Sequence, residues 1–499
     1  MSLEPDVLHV SPDGAWRLVD GQPRETLRLE VALKRVQPGQ TVRLLSGVYT
    51  EPVEIANKGG SFDRPIVIRG ESGVTFDGHR NLVRPTDGES VDRRTYAFVK
   101  VLDSRGIVLE NFTIQNVWPT AVYIGESSEI VLRRLNLHGG TYAVFARGSK
   151  TRRIVAERCA WTGDTTIWDE VIWKDIHMPP YPRRELDGDF FRSVDIPGEV
   201  VVRHNMIQHV FNGVHMFASP GLETMNRDVW VYENTFAFVR DNVIESEQFA
   251  RNWWIFGNRI YNAHKWIAFE ESKGGYRYVF ANVGWFDRRP GPPGDLNNGG
   301  AVFKETKKPF PTEPTYAFHN TWYLRSTYVK KGRIPGLLHF NNAVVYARSA
   351  DHPPGLVDDD KPMFGGDFLA SWQPGDATFD NDYCPHPQYR LMARLSGGAP
   401  AAHSDEPPRF KDSEGYVFAP DGGSPLLRGG KARAIRLADG ELWTVPAGLH
   451  LGALNDSDRA HPLRDLGCPA NGGDPGPSWA TPRPGSLVFP PEPDFVPAP

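Results

Sequence analysis

The chain reads as an all-β protein, specifically a right-handed parallel β-helix, and three observations predict it. Strand-like segments with alternating apolar positions recur at a spacing centred on 22 to 24 residues, and an asparagine follows each at the same place. β-branched and aromatic residues dominate these segments, which sets them apart from leucine-rich repeats of similar period. The clearest copies are VVVRHNMI, VWVYENTF, WWIFGNRI, RYVFANVG, TYAFHNTW and LHFNNAVV. Their asparagines are Asn205, Asn234, Asn258, Asn282, Asn320 and Asn342, at intervals of 29, 24, 24, 38 and 22. Earlier copies, GIVLENFTI, EIVLRRLNL and RIVAERCAW, align Asn111, Arg134 and Arg158 with that position. The 47-residue step from Arg158 to Asn205 holds two turns, or one with an insertion. Asparagines repeated at one corner can stack at the strand spacing of about 4.8 Å and bond along the ladder, which makes them structural turn formers.

Each remaining element follows from this frame. Residues 25–51 read as a short amphipathic helix and a first strand, expected to cover the open apolar end of the solenoid. The helix is expected to fill residues 1–348, and the Pro- and Gly-rich residues 349–499 to form an irregular extension packed on it. Among 499 residues, 40% hydrophobic and 23% charged composition suits a folded core. A net charge of -5 argues against a nucleic-acid partner, and no apolar run is long enough to insert into a membrane. Three cysteines with no CxxC pair indicate neither a zinc knuckle nor a disulfide framework. No charged and apolar leader is visible, and proteins of this shape often act outside the cytoplasm, so a secreted or periplasmic location is the expectation.

The run ALKRVQPGQTVRLLSGVYTE, continuing to DRPIVIRGESGVTFDG, resembles the opening coils of the pectin-lyase-like superfamily, nearest to the chondroitinase B and alginate lyase group. SPLLRGGKA with LHLGALN resembles a closing signature of bacterial β-helix proteins. The resemblance implies a polysaccharide or oligosaccharide partner. In the chondroitinase B-like pattern, calcium held by a carboxylate-rich strand neutralises a uronate while basic residues act on the proton α to it. NVIESEQFARNWWIFGNRI supplies Glu245 and Glu247 for the metal-like part, but the lysine and arginine of that pattern are not reproduced. The ordered motifs of polygalacturonases, pectate lyases and alginate epimerases are also missing.

Nine residues after Asn205, Asn234 and Asn258 stand Val214, Val243 and Ile267, and aligning the coils there exposes a stripe. Its first coils present Tyr123 and Phe145; the middle coils present Asp187, Asp189, Arg192, His215, Asp241, Glu245, Glu247, Lys265, Glu270, Glu271 and Lys304. On this register strict alternation turns Glu245 inward with Val243, so an outward Glu245 requires the strand to have turned. Stacked carboxylates repel and raise one another's pKa unless a cation or proton intervenes. They can hold calcium through oxygen, or divide into acid and base. The assignments are Lys265, His215, Glu245 and Glu270 as catalytic groups, and Glu245, Glu247 and Glu271 as ligands for a calcium ion. Arg192, Asp241, Arg251, Trp266 and Lys304 are assigned to substrate. Trp168, Trp173, Tyr181, Trp253, Trp254, Trp285 and Trp322 add candidate sugar platforms. The long segment from Asp164 to Asp195 is expected to wall the cleft. The leading expectation is a polysaccharide lyase on an extended, uronate-containing glycan; a glycoside hydrolase with paired carboxylates and a non-catalytic glycan-binding or adhesin-like protein stand beside it.

Overall fold

A computed structural model describes residues 6–79, 97–163, 176–177, 186–285, 301–305, 310–324, 327–346, 362–412, 417–427 and 429–453. The chain winds as a right-handed parallel β-helix. One ladder of parallel strands runs from Val7–Val10 through Thr41–Leu44, Ile66–Gly70, Arg105–Glu110, Ser128–Arg133, Arg152–Glu157, Gly198–Arg203 and Arg227–Tyr232. It continues in the second halves of the long strands Asn242–Phe256 and Lys265–Phe280, then in Thr315–Phe318 and Leu337–Phe340. It does not stop near 348: Ala377–Asp380 pairs in register with Leu337–Phe340. An eleven-stranded sheet of short segments, from Gly47–Tyr49 to Ala343–Tyr346, forms a second face. The third face holds Ala97–Leu102, Thr120–Gly125, Tyr142–Arg147, Asp189–Val194, Asn212–Phe217, the first halves of the two long strands, and Ala301–Lys304. Inward apolar side chains of all three faces fill one core, which also takes Ala32 and Leu33 of the helix Leu29–Arg35.

The asparagine ladder is continuous. The Oδ1 of Asn234 accepts from the backbone N–H and Nδ2 of Asn205 at 3.0 and 2.9 Å, and Asn258, Asn282, Asn320 and Asn342 repeat the pattern. Asp382 ends it, its Oδ1 accepting from both nitrogens of Asn342 at 2.7 and 2.9 Å. Upstream the register differs by one from the sequence alignment: Asn205 accepts from the backbone N–H of Cys159. Asn111, Arg134 and Arg158 instead correspond to His204, the left-handed residue before Asn205, with φ of 63°, 51°, 53° and 55°. Arg152–Glu157 pairs directly with Gly198–Arg203, so the 47-residue step is one coil with an insertion. Of that insertion, residues 164–175 and 178–185 lie outside the described residues, and with them the expected cleft wall and Trp168, Trp173 and Tyr181.

Past the solenoid, the hairpin of Arg433–Arg436 and Leu442–Val445 lies over the outer side of the first face. Trp443 meets Trp254, Phe280 and Phe318 with ring centroids 6.1, 5.5 and 5.3 Å away. Cys159 and Cys384 are buried free thiols, and Cys468 lies outside the described residues. No helix among the described residues is long and apolar enough to cross a membrane.

Candidate functional site

The third face carries the charged stripe, and its register is unambiguous. Tyr123, Phe145, Arg192, His215, Glu245, Ala268 and Lys304 are successive partners on one outward ladder. The apolar partners beside them are Val214, Ile244 and Ile267, not Val243. Val210 pairs with Val239, yet Asn212 corresponds to Asn242, whose N–H donates to the Asn212 Oδ1 at 2.9 Å. The coil therefore holds one extra residue at the Arg240–Asp241 corner, and that residue turns Glu245 outward. At the corner itself two consecutive side chains face in, Val243 with Ile244 and Trp266 with Ile267. A strand of strict period two would not do this.

Three carboxylates converge on His215. Its Nδ1 lies 3.4 Å from Asp189 Oδ1 and 3.3 Å from Glu245 Oε2, and its Nε2 lies 3.4 Å from Glu247 Oε1. Arg192 touches the imidazole and lies 3.6 Å from Asp189. Asp189 is fully buried, and neither of its oxygens has a hydrogen-bond partner among the described residues. On the other side Lys304 pairs with Glu270 at 2.7 Å and reaches Asn242 Oδ1 at 3.5 Å, folding back past the small Ala268. Glu245 is buried, whereas the Glu247 side chain keeps 28% of its surface open.

These surroundings pull the groups apart. Burial pushes Glu245 up to about 8, even with His215 and Lys304 pulling the other way. Burial also opposes ionisation of Glu247, but the hydrogen bond and charge of His215, with Arg192 and Lys304, bring it down to about 2. Burial and Arg192 disfavour a proton on His215; Glu245 and Asp189 outweigh them and hold the ring well above its usual value. Burial works against Lys304 as well, yet Asp241, Glu245 and Glu270 raise it. At neutral pH the cluster thus offers a protonated carboxyl beside an ionised one.

A second group borders it. Lys265 is 2% exposed, its Nζ lies 3.0 Å from His264 Nε2, and Lys330 touches its amine. Burial foremost, then the Lys330 charge, holds Lys265 well below the usual lysine value. Asp241 is buried, 3.9 Å from His177 Nε2. His264, Lys330 and His177 were not assigned from sequence. Lys330 sits in STYVKKG, outside any recognisable repeat, so nothing signalled its face.

The assignments divide accordingly. Arg192, His215, Glu245, Glu247, Glu270 and Lys304 come together, while Lys265 and Asp241 form the neighbouring group. Glu271 stands in a bulge of the strand pairing, where its carboxylate accepts from Gln248 Nε2 at 3.2 Å, and His215 takes its place among the potential ligands. Arg251 belongs to the first face: its Nε lies 3.2 Å from Glu313 Oε1 and its guanidinium 5.2 Å from the Tyr276 ring centroid. Trp266 cannot touch substrate; it is a core residue packed on Trp322, with its indole N–H donating to Ala263 O at 3.0 Å. Among the other tryptophans, Trp253 and Trp322 are core, Trp254 lies beneath Trp443, and Trp285 packs on Phe418.

His215, Glu245 and Glu247 offer one nitrogen and two oxygens within 4.8 Å of one another. A mixed set of this kind suits a divalent ion that accepts imidazole, such as zinc or manganese. Calcium, which takes six to eight oxygens, fits it poorly.

No protein-family model and no curated protein matches the chain. Solved structures similar to it include pectate lyase Pel9A, at 15% identity and TM-score 0.43, covering 90% of this chain and 95% of that one. Another is the GH136 lacto-N-biosidase from Eubacterium ramulus, at 14% identity and TM-score 0.41, covering 72% and 66%. A third is the PL6 family alginate lyase AlyGC, at 10% identity and TM-score 0.43, covering 95% of this chain and 58% of that one. The parallel β-helix rests on the chain's own strand ladders.

Proposed function

We propose that the chain is a carbohydrate-active enzyme that cuts an extended glycan lying across the Arg192 to Lys304 ladder, by hydrolysis. The observation that carries this reading is the pair Glu245 and Glu247, outward on one strand, with carboxylate oxygens within 4.8 Å and opposite protonation at neutral pH. Environments that separate two carboxyls in this way suit one to acid and the other to base or nucleophile work. Glu245 gives its proton to the glycosidic oxygen as the bond from C1 to that oxygen breaks. Glu247 attacks C1, and water, deprotonated by Glu245, then releases the sugar.

Elimination is the second reading, and the mixed donor set favours it. His215, Glu245 and Glu247 would hold a divalent ion, which when bound supplies neutralisation of a sugar carboxylate. The base assigned to that route, Lys265, is buried behind His264 and faces other lysines, which weakens it. One experiment separates the two: neutral, uronate-containing and sulfated polysaccharides, each with chelator or with added divalent ion. Hydrolysis gives new reducing ends without ultraviolet-absorbing unsaturated products and is indifferent to chelator. Unsaturated, chelator-sensitive products would overturn it in favour of elimination.

A further inference from the structure

We infer that the N-terminal end of the solenoid is a self-association surface, on which the hairpin led by Trp16 enters a cavity beside the same hairpin of a second copy of this chain. Arg17–Val19 and Gln22–Arg24 form the hairpin, with Leu18 opposite Pro23. Val19 is buried and anchors it, whereas Trp16 and Leu18 are 65% and 74% exposed. Among the described tryptophans Trp16 alone is exposed. Its lead-in is held firmly: Asp13 accepts from the Ala15 N–H at 3.1 Å and from Arg17 at 2.7 Å, and Thr26 Oγ1 donates to Ala15 O at 2.6 Å. A segment already fixed loses little freedom on docking. Beside it, between the helix Leu29–Arg35 and the strand Gly47–Tyr49, opens a cavity of about 690 Å³. Pro12, Arg28, Leu29, Leu33, Val48 and Tyr49 line it, and Val48 is half exposed. Gly14 lies so near Arg28 that a β-carbon there would stand 2.9 Å from Arg28 Cγ, and Trp16 follows two residues on.

Single exposed apolar side chains are ordinary, but Trp16, Leu18 and Val48 beside an apolar cavity form a patch of the kind that marks a binding surface. Leu18, Pro23 and Val48 offer nothing to sugar hydroxyls, which turns the choice from a glycan to an apolar protein surface. The charges point to a copy of the same surface. Arg24 on the hairpin is joined at the cavity by Arg28, Lys34 and Lys58, and the cavity also carries Glu30, Glu51 and Glu54. None of these seven has an ion-pair partner among the described residues. So even a balance lets two copies approach without repulsion, and a hairpin that enters the cavity brings its Arg24 toward the glutamates of the other copy. Knob and hole on one patch are satisfied twice by a twofold axis, and the contact closes at two copies. The surface involves none of the groups of the Arg192 to Lys304 ladder, so it holds whatever the chain cuts.

The test is sedimentation velocity of the full chain from about 1 to 100 µM. A mass that rises to twice the monomer's and stops there is expected. Trp16→Ala and Val48→Arg should each weaken the dimer about tenfold or more, and since both positions are exposed, melting curves should match the parent's. A chain still monomeric at the top of that range, or a dimer unchanged in both folded variants, overturns the inference. Mass that grows without limit, and is lost in Leu391→Arg but not in Trp16→Ala, would mean stacking through the opposite end and overturns it too. So would a monomer in which oligosaccharide quenches fluorescence that Trp16→Ala lacks, because the indole would then be a sugar platform.

Discussion

Glu245 is a group that folding places at a disadvantage. Its folded pKa, about 8, lies above its unfolded value, so its contribution to stability is full below the unfolded pKa and is lost as pH rises through 8. Glu245→Gln should therefore resist denaturant better than the parent at pH 8, with little difference at pH 4.5. The same change should lower turnover at least about a hundredfold, as should Glu247→Gln. Glu247 runs the opposite way: held near 2, it stabilises the fold above its unfolded pKa, and that support disappears as pH falls toward 2. A glycan with a defined anomeric centre, followed by NMR, should give a product of retained configuration; inversion would remove Glu247 as nucleophile. The sequence revealed most of this cluster because ionisable residues recurring on a β-helix coil stand out against apolar neighbours. It hid what depends on exact register. Trp266 read as outward because alternation was carried through a corner where two side chains turn in. Lys330 and His264 carried no repeat to mark their face.

The asparagine ladder was legible because it is both chemical and periodic, and it failed where the residue type changes. In the early coils Cys159, Leu135 and Phe112 occupy the asparagine position, so the eye settles on Arg158, Arg134 and Asn111, one residue short. Within the ladder each member is load for its neighbours. Asn258→Ala would take the side-chain acceptor from the backbone N–H of Asn234, one of the acceptors of its Nδ2, and the Nδ2 donor to Val231 O. A loss of roughly 3–5 kcal/mol in denaturant unfolding is expected, since these groups are buried. The corner at Arg240–Asp241 shows the opposite economy, because one added residue there resets the facing of a whole strand. Deleting Arg240 should return Glu245 to the inside and abolish turnover, an outcome that fluorescence and activity measured together would distinguish from simple unfolding.

At the scale of the molecule, a solenoid is held by contacts between adjacent coils, so damage stays local. Trp443→Ala should free the 433–445 hairpin from the Trp254 and Phe280 face at a cost of about 3–5 kcal/mol in the hairpin's own opening, seen as faster hydrogen exchange there and over Trp254. The His215 cluster, on another face, should exchange as before. The sequence placed the end of the coil stack near 348 because the repeat loses its asparagine there, yet Ala377–Asp380 adds another rung and Asp382 receives the ladder's last hydrogen bonds. That ladder has a sense of direction. Every asparagine gives its backbone and amide hydrogens to the next one along, and the series closes only on a residue that accepts without needing to give. A copy of one interior coil, spliced between Asn234 and Asn258, would find a giver behind it and a receiver ahead. Removal of the final rung would strand Asn342. The molecule can thus grow from its middle but not be shortened from its tail, and the length of its groove is open to revision by duplication without any new chemistry.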